Sequence, residues 1–423
     1  MSAAGQRTST PPPHTRLDHL VSARAATRGE APALTVKDRT LTYAELGREI
    51  AEFAAALSAG GLRRGDRVAV YLDKRVETVV SAFGTAAAGG AFVPVNPLLR
   101  PAQVGHILAD SEARFLVTSA ERLETLEEEL GGAPALERIV LAGEWSEFVA
   151  AAQHAEPPPS AIDVDMAAIF YTSGSTGRPK GVVLSHRNLL AGARSVVEYL
   201  GNDESDRILS VLPLSFDAGF SQLTTGFAAG AHVVMTEYLL PRDVVRLCAE
   251  HGITGLTGVP PLWVQLADQE WPPEATEHLR YFASTGGRMP KATLDRLREI
   301  FPAAAPFLMY GLTEAFRSTY LDPSEVDARP DSIGKAIPNA EVMVVREDGT
   351  RCDPGEQGEL VHRGALVAMG YWNDPETTAE RFRPAPGRPD GIPVPETAVW
   401  SGDRVVEDVA VDDNTERISY SWP

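Results

Sequence analysis

Between Thr172 and Lys180 the chain reads TSGSTGRPK, a short run holding four hydroxyl side chains, two glycines, an arginine and a lysine. Glycine lets backbone N–H groups converge on one point, and hydroxyls and an ammonium add further donors, so the stretch suits an anion and phosphate first of all. The Walker loop, GxxxxGK followed by Ser or Thr, does not fit. Pro179 precedes Lys180 where that motif needs glycine, and Gly181-Val182-Val183-Leu184 reads as a strand where a Walker loop opens a helix. Upstream, Ala168-Ile169-Phe170-Tyr171 is also strand-like. The pattern therefore predicts a loop joining two strands and lying over a polyphosphate, against the plainer alternative of a surface hairpin without a ligand.

The elements that would position this loop follow from hydrophobic periodicity. Leu46, Ile50, Phe53 and Leu57 share one helical face behind Thr42 and Glu45, which are spaced as a capping box. Buried strands are predicted at Arg67 to Leu72, Ala91 to Val95, Arg114 to Thr118, Arg207 to Leu212 and His232 to Met235. Helices are predicted through Gly84 and Ala88, at Gln103 to Leu108, Asn188 to Leu200, Phe220 to Ala228 and Asp243 to His251. Such alternation argues for parallel α/β sheets. After about Ser332 the texture turns to short strands and turns, as in Ala340 to Arg346 and Gly358 to Arg363. The expected organisation is a disordered lead over 1–15, a first α/β subdomain over 16–160, and a second over 161–331 that holds the phosphate loop. A small β-barrel-like subdomain follows over 332–403, and then an atypical tail over 404–423. The proline run Pro157 to Ser160 marks a linker-like break.

Bulk properties narrow the function. The 423 residues are 43% hydrophobic and 23% charged, which suits a globular chain with a large core. Acidic residues outnumber basic ones 58 to 39, a net charge of −19, so nucleic acid and anionic membranes are poor partners and any phosphate site is a local basic exception. Cys248 and Cys352 make neither a disulfide framework nor a zinc cluster, in keeping with a reducing cytoplasm. No apolar run reaches the roughly 18 residues of a membrane span, and the start lacks an apolar signal core. None of the nine histidines forms HExxH, and no GxSxG elbow occurs. His186 is expected to start a helix and Cys248 to pack inside one.

Four separated segments, TSGSTGRPK with Tyr171 before it, Ser284 to Arg288 (STGGR), Tyr310 to Glu314 (YGLTE) and Ser401 to Asp403 (SGD), occur in this order. Together they resemble the AMP-forming adenylate-forming superfamily of acyl-CoA synthetases and amino-acid adenylation domains, from about Leu41 to Asp403. More narrowly, PLSFDAGFSQL, PFLMYGLTEAFRSTY, DSIGKAIPNAE and GELVHRGALVAMGYWNDPE look like the ligases associated with exosortase systems. The resemblance implies ATP and Mg²⁺, with a coenzyme A or phosphopantetheine carrier thiol as acceptor. It implies that Thr172, Ser173, Gly174, Ser175, Thr176, Gly177 and Lys180 cradle the β- and γ-phosphates. Thr313 would bond the α-phosphate, Glu314 would hold the metal, Tyr310 would stack on adenine and Asp403 would accept from the ribose hydroxyls. Gly286 and Gly287, with Arg288 and Gly311, would let nucleotide and acid approach closely. The catalytic set so implied is Lys180, Thr313 and Glu314.

The segment Leu212 to Asp217 bears on the acid. Amino-acid adenylation domains resemble it, with Phe-Asp at the place where the carboxylate pairs with the substrate ammonium; Phe216 and Asp217 are therefore expected at the substrate. An unpaired buried carboxylate is expensive, so Asp217 in a pocket wants a cation; the plainer alternative is that it caps a helix beginning near Gly219. Three readings follow: a ligase that activates an amino acid and loads a carrier-protein thiol, an acyl-CoA ligase for a non-amino acid, and a catalytically reduced adenylate binder. The third arises because VEDVAVDDNTERISYSWP does not resemble the opening of the small C-terminal domain that bears the family's catalytic lysine, so no residue here is expected to take that lysine's role.

Overall fold

The computed structural model describes residues 15–152, 161–173, 179–238, 240–386, 397–412 and 415–421. The expected lead up to residue 14, the Pro157 to Ser160 break and Gly174 to Gly177 lie outside the described residues.

Local signals act as their chemistry dictates. Thr42 accepts from the Glu45 N–H at 3.2 Å while the Glu45 carboxylate accepts from the Thr42 N–H at 2.9 Å, and the helix Tyr43–Ala59 starts there. Losing such a cap costs about 1 kcal/mol. Leu46, Phe53 and Leu57 are fully buried on its inner face and Ile50 nearly so, each worth about 2 kcal/mol of apolar burial. Ser185 caps the helix His186–Leu200 in the same manner, with Asn188 answering, so His186 does start a helix. Cys248 is buried in the helix Pro241–His251, and burial pushes its thiol up to about 12, which leaves it a packing residue.

Two sheets organise the chain. A seven-stranded sheet runs in the order Gly370–Tyr371, Pro179–Ser185, Met166–Ser173, Ala91–Pro94, Arg67–Tyr71, Ala113–Thr118 and Arg138–Leu141. Its pairs are parallel except those made by Pro179–Ser185. The second sheet has a parallel centre made of Ala305–Leu312, Tyr281–Ser284, Gly255–Gly258, Arg207–Ser210, His232–Met235 and Pro32–Val36. Chain order and sheet membership differ. Pro32–Val36 and Arg39–Thr42 join the second sheet through His232–Met235, while Met166–Ser173 and Pro179–Ser185 belong to the first.

Beyond Phe316–Leu321 the second sheet continues as a curled antiparallel ribbon of Ser332–Ala336, Ala340–Val345, Gln357–Gly364, Thr397–Asp412 and Thr415–Ser421. This is the predicted β-rich region. The stretch expected only as an atypical tail, 404–423, carries the end of Thr397–Asp412 and the whole of Thr415–Ser421, which pairs back onto Ser332–Ala336.

The helix Asp217–Ala229 lies between the sheets. Phe220 packs against Phe83, Phe92 and Phe170 with ring centroids 4.8 to 5.8 Å apart. Rings this close contribute beyond their area, about 0.5–1.5 kcal/mol per pair. They fix the helix whose first turn carries Asp217.

Candidate active site

The candidate residues gather where the parallel strands end, the usual place for a ligand in an open α/β sheet. Tyr281–Ser284 runs out into Gly286-Gly287-Arg288, Ala305–Leu312 delivers Tyr310 and then Thr313 and Glu314, and Arg207–Ser210 leads to Phe216 and Asp217.

The phosphate-type loop joins Met166–Ser173 to Pro179–Ser185 as an antiparallel pair, with Thr172 opposite Lys180. This is the two-strand connection predicted from the flanks. The Lys180 ammonium lies 3.4 Å from Thr377 Oγ1 and 5.6 Å from the centre of the Tyr371 ring.

A cavity of about 310 Å³ brings together Gly286, Gly287, Arg288, Tyr310, Gly311 and Asp403. Gly286 adopts φ +77°, a left-handed conformation that favours glycine. Gly311 is glycine for a different reason than ligand approach: a Cβ there would meet Phe316 O at 2.1 Å across the hairpin. Phe216 is 37% exposed, and its ring tip would lie 3.7 Å from a Cβ on Gly286, so the two face each other. On the cavity wall the Tyr310 hydroxyl donates to Asp403, and burial, followed by that bond, raises the phenol's pKa. The ring lies 5.9 Å from His362 at an interplanar angle of 24°. His362 is buried, which pushes it down to about 3 and leaves the imidazole neutral. Arg288 is exposed and paired with Asp331.

Thr313 and Glu314 form a second group. The Thr313 hydroxyl donates to Asp217 at 3.3 Å, and the Tyr371 hydroxyl donates to Glu314 at 2.6 Å. Tyr371 thus touches both Lys180 and Glu314. Burial, then the Glu314 bond, raises its phenol's pKa. Asp217 is the first residue of its helix; Phe216 stands at the N-cap, with no side-chain cap bond. The capping alternative is thereby corrected: the helix begins two residues earlier than expected and leaves the carboxyl free of the cap position. Burial raises the Asp217 pKa, against the opposing pull of Arg317, the Thr313 hydroxyl and the Ala218 N–H, while Glu314 adds to the rise.

Among the described residues no group of three or more His, Cys, Asp or Glu side chains could hold a metal by itself. A single carboxylate such as Glu314 suits Mg²⁺, which keeps several waters and takes its other ligands from phosphate. Sequence reasoning misses Tyr371 and Asp331. Both lie in segments that carry the family resemblance, GYWNDPE and DSIGKAIPNAE, and their signal is an aromatic or acidic side chain placed opposite a residue already singled out. The side chains of Ser173 and of Gly174 to Gly177 are not among those described.

A cavity of about 310 Å³ at the carboxyl ends of parallel strands is where an open α/β sheet takes its ligand, which makes this an α/β protein with a ligand site of that kind. Residues 21–372 match the family described as AMP-binding enzyme, and the chain belongs to that adenylate-forming family. It is 31% identical over 360 residues to tyrocidine synthase 3 of Brevibacillus parabrevis, covering 84% of this chain and 6% of that one. With indigoidine synthase of Dickeya dadantii it shares 30% identity, over 93% of this chain and 27% of the other. The chain thus spans only a small part of these relatives. Among solved structures, VinN is similar at 29% identity with a TM-score of 0.83, covering 96% of this chain and 98% of VinN. A complex of VinN with L-aspartate is similar at 27% identity, with a TM-score of 0.82 and coverage of 97% and 99%. Among the described residues no helix is long and apolar enough to cross a membrane.

Proposed function

We propose that this chain activates an amino acid with ATP: a carboxylate oxygen bonds to the α-phosphorus, the bond to the bridging oxygen breaks, and pyrophosphate leaves with the electron pair. The acyl-adenylate then passes its acyl group to a carrier-protein or coenzyme A thiol, with AMP as the leaving group. The observation that carries this reading is Asp217, a carboxyl embedded at the start of its helix and joined through Thr313 to the Glu314 region. Desolvation makes it costly to ionise there, and a substrate ammonium offsets that cost. The similarity to VinN, solved with L-aspartate, supports an amino acid over a fatty acid.

In this reading Tyr310 offers its ring to adenine and Asp403 accepts from the ribose. Lys180 and the Thr172 to Gly177 loop hold the β- and γ-phosphates, and Thr313 serves the α-phosphate. Mg²⁺, when bound, neutralises phosphate charge, and Glu314 would hold it. Gly286, Gly287, Arg288 and Gly311 shape the nucleotide cavity, and Phe216 faces the acid. The divisions at residues 160 and 331 stand as chain divisions in the same proposal, whereas Thr397–Asp412 runs across 403 as one strand. The test is acid-dependent ATP–pyrophosphate exchange over a panel of amino acids and their desamino analogues. Exchange only with amine-bearing acids is expected. Exchange led by desamino acids would make the protein an acyl ligase of another kind, and production of ADP would refute adenylation.

A further inference from the structure

Arg317 is a cation that the chemistry above leaves unused. It is 3% exposed, and it stands opposite Gly311 in the hairpin, directly after Phe316, whose backbone takes φ +55°. Its guanidinium reaches the first turns of the Asp217–Ala229 helix. Nη2 donates to Ala218 O at 3.2 Å, Nη1 donates to Ser221 Oγ, and buried Nε has no partner. Both acceptors are neutral, and a helix start is the positive end of its dipole, where a cation is disfavoured and an anion welcome. The guanidinium also flanks a small cavity of about 10 Å³ shared with Ser221, Gln222, Thr225, Thr257 and Met309. The Thr225 hydroxyl there is buried and unpartnered as well. Met309 lines both this cavity and the 310 Å³ nucleotide cavity, so the two are neighbours. The Arg317 Nε–H is thus a buried donor without an acceptor at this end of the site.

We propose that Arg317 is the acid-recognising floor of the substrate site and that the substrate is an amino acid with a second carboxylate on a short side chain. The inference rests on the amino-acid reading of Asp217. Asp217 and Ser221 are separated by about 6 Å along the helix axis, from a rise of 1.5 Å per residue. An ammonium at Asp217 and a carboxylate at Arg317 are therefore a span that a four- or five-carbon amino diacid covers. Arg317 presents planar, paired N–H groups that match a carboxylate edge. The space beyond it admits a water molecule at most, so a side chain that reaches the guanidinium ends there. An ammonium at Asp217 and a side-chain carboxylate at Arg317 would give each of these charges a partner of opposite sign.

The test compares L-aspartate and L-glutamate with asparagine, glutamine, succinate and glutarate in ATP–pyrophosphate exchange, and in calorimetric binding with AMP present. The binding arm needs no turnover, so it decides the matter even for a chain inactive in exchange. An amino diacid should exceed its own amide by about 100-fold or more, because the amide leaves a buried charge unmatched. Arg317→Met should collapse that ratio while AMP binding persists, and Arg317→Lys should restore part of it. Succinate equal to aspartate would overturn the ammonium role of Asp217 yet support Arg317. Wild-type preference for a neutral amino acid, or an unchanged ratio in Arg317→Met, would overturn the proposal and make Arg317 simply the counter-charge of Asp217. The wild-type ratio needs no variant, so misfolding of Arg317→Met cannot shelter the idea.

Discussion

Replacing Asp217 by asparagine keeps the side chain's shape and removes its charge, which separates a substrate role from a structural one. The Asp217 pKa is raised in the folded protein, chiefly by burial. A carboxyl whose folded pKa exceeds its unfolded one costs nothing below the unfolded value of 3.8, and its penalty grows as pH rises through the folded pKa. At neutral pH Asp217→Asn should therefore melt at the same temperature as the wild type or higher. Activity should move the other way. A lost charged hydrogen bond costs about 1.5–3 kcal/mol, and an ammonium left buried without its partner about 3–5 kcal/mol. At about 1.4 kcal/mol per decade, kcat/KM for an amine-bearing acid should fall roughly 10- to 5,000-fold, with the desamino analogue little changed. Paired thermal melts and ATP–pyrophosphate exchange on one preparation read both quantities. Exchange within threefold of wild type, or a lowered melting temperature with equal losses for both acids, would refute the reasoning.

Glu314→Gln should leave little exchange activity while AMP binding persists, because a neutral amide is a poor anchor for a metal that bridges phosphates; wild-type exchange would remove Glu314 from that role. Tyr371→Phe keeps the ring beneath Lys180 but deletes the 2.6 Å bond to Glu314, so exchange should drop roughly 10- to 100-fold, with an altered Mg²⁺ concentration dependence; an unchanged Mg²⁺ dependence would mean the bond is only structural. Stability should also fall with acid. His186 and His232 are pushed by burial down to about 4 and His362 to about 3, from an ordinary 6.5. Their depressed folded values give stability that is present above pH 6.5 and lost as pH falls toward 4 and 3, so a denaturant midpoint flat across pH 6.5 to 4 would contradict the assignment.

Much of the fold is legible because it is written in local runs. The strands Arg67–Tyr71 and Ala91–Pro94 are buried almost throughout, and the Thr42 capping box names its helix start from three residues away. Pro32–Val36 is not legible in this way, because its sheet partner is His232–Met235, nearly two hundred residues downstream, and Arg39–Thr42 reaches the sheet only by pairing with Pro32–Val36. No periodicity within either segment carries that information. Thr415–Ser421 pairs locally with Thr397–Asp412, but its second neighbour, Ser332–Ala336, lies some eighty residues upstream and is equally invisible in the run itself. At the site, the motifs that carry the family resemblance single out Gly286, Tyr310 and Asp403, and these three share one cavity wall. The partner of Thr313 is less visible. Asp217 stands out for its own charge, but its bond to Thr313 joins two segments 96 residues apart, and only the packing of the Asp217 helix between the sheets brings them together.

That packing also explains how a site whose polar groups already pair with one another can still take a ligand. Asp403 accepts from Tyr310, and a carboxylate offers about four lone-pair positions, so ribose hydroxyls can add without displacing the phenol. Glu314 receives Tyr371 on one oxygen, which leaves the other for a cation. Tyr310 can present its ring face to a base while its hydroxyl stays on Asp403. These contacts hold the groups in place before binding, which lowers the ordering cost that binding would otherwise meet. Thr313 is the exception. A hydroxyl has one proton, and that proton is directed at Asp217 over 3.3 Å, a long bond and so a weak one. In the proposed reaction Thr313 donates to the α-phosphate by turning its one proton away from Asp217, whose carboxylate then keeps an arriving ammonium as its donor. On that proposal an ammonium at Asp217 makes up for the weak bond that Thr313 gives up, so the amine and the α-phosphate would each have a donor or acceptor matched to them without a new buried polar group going unpaired.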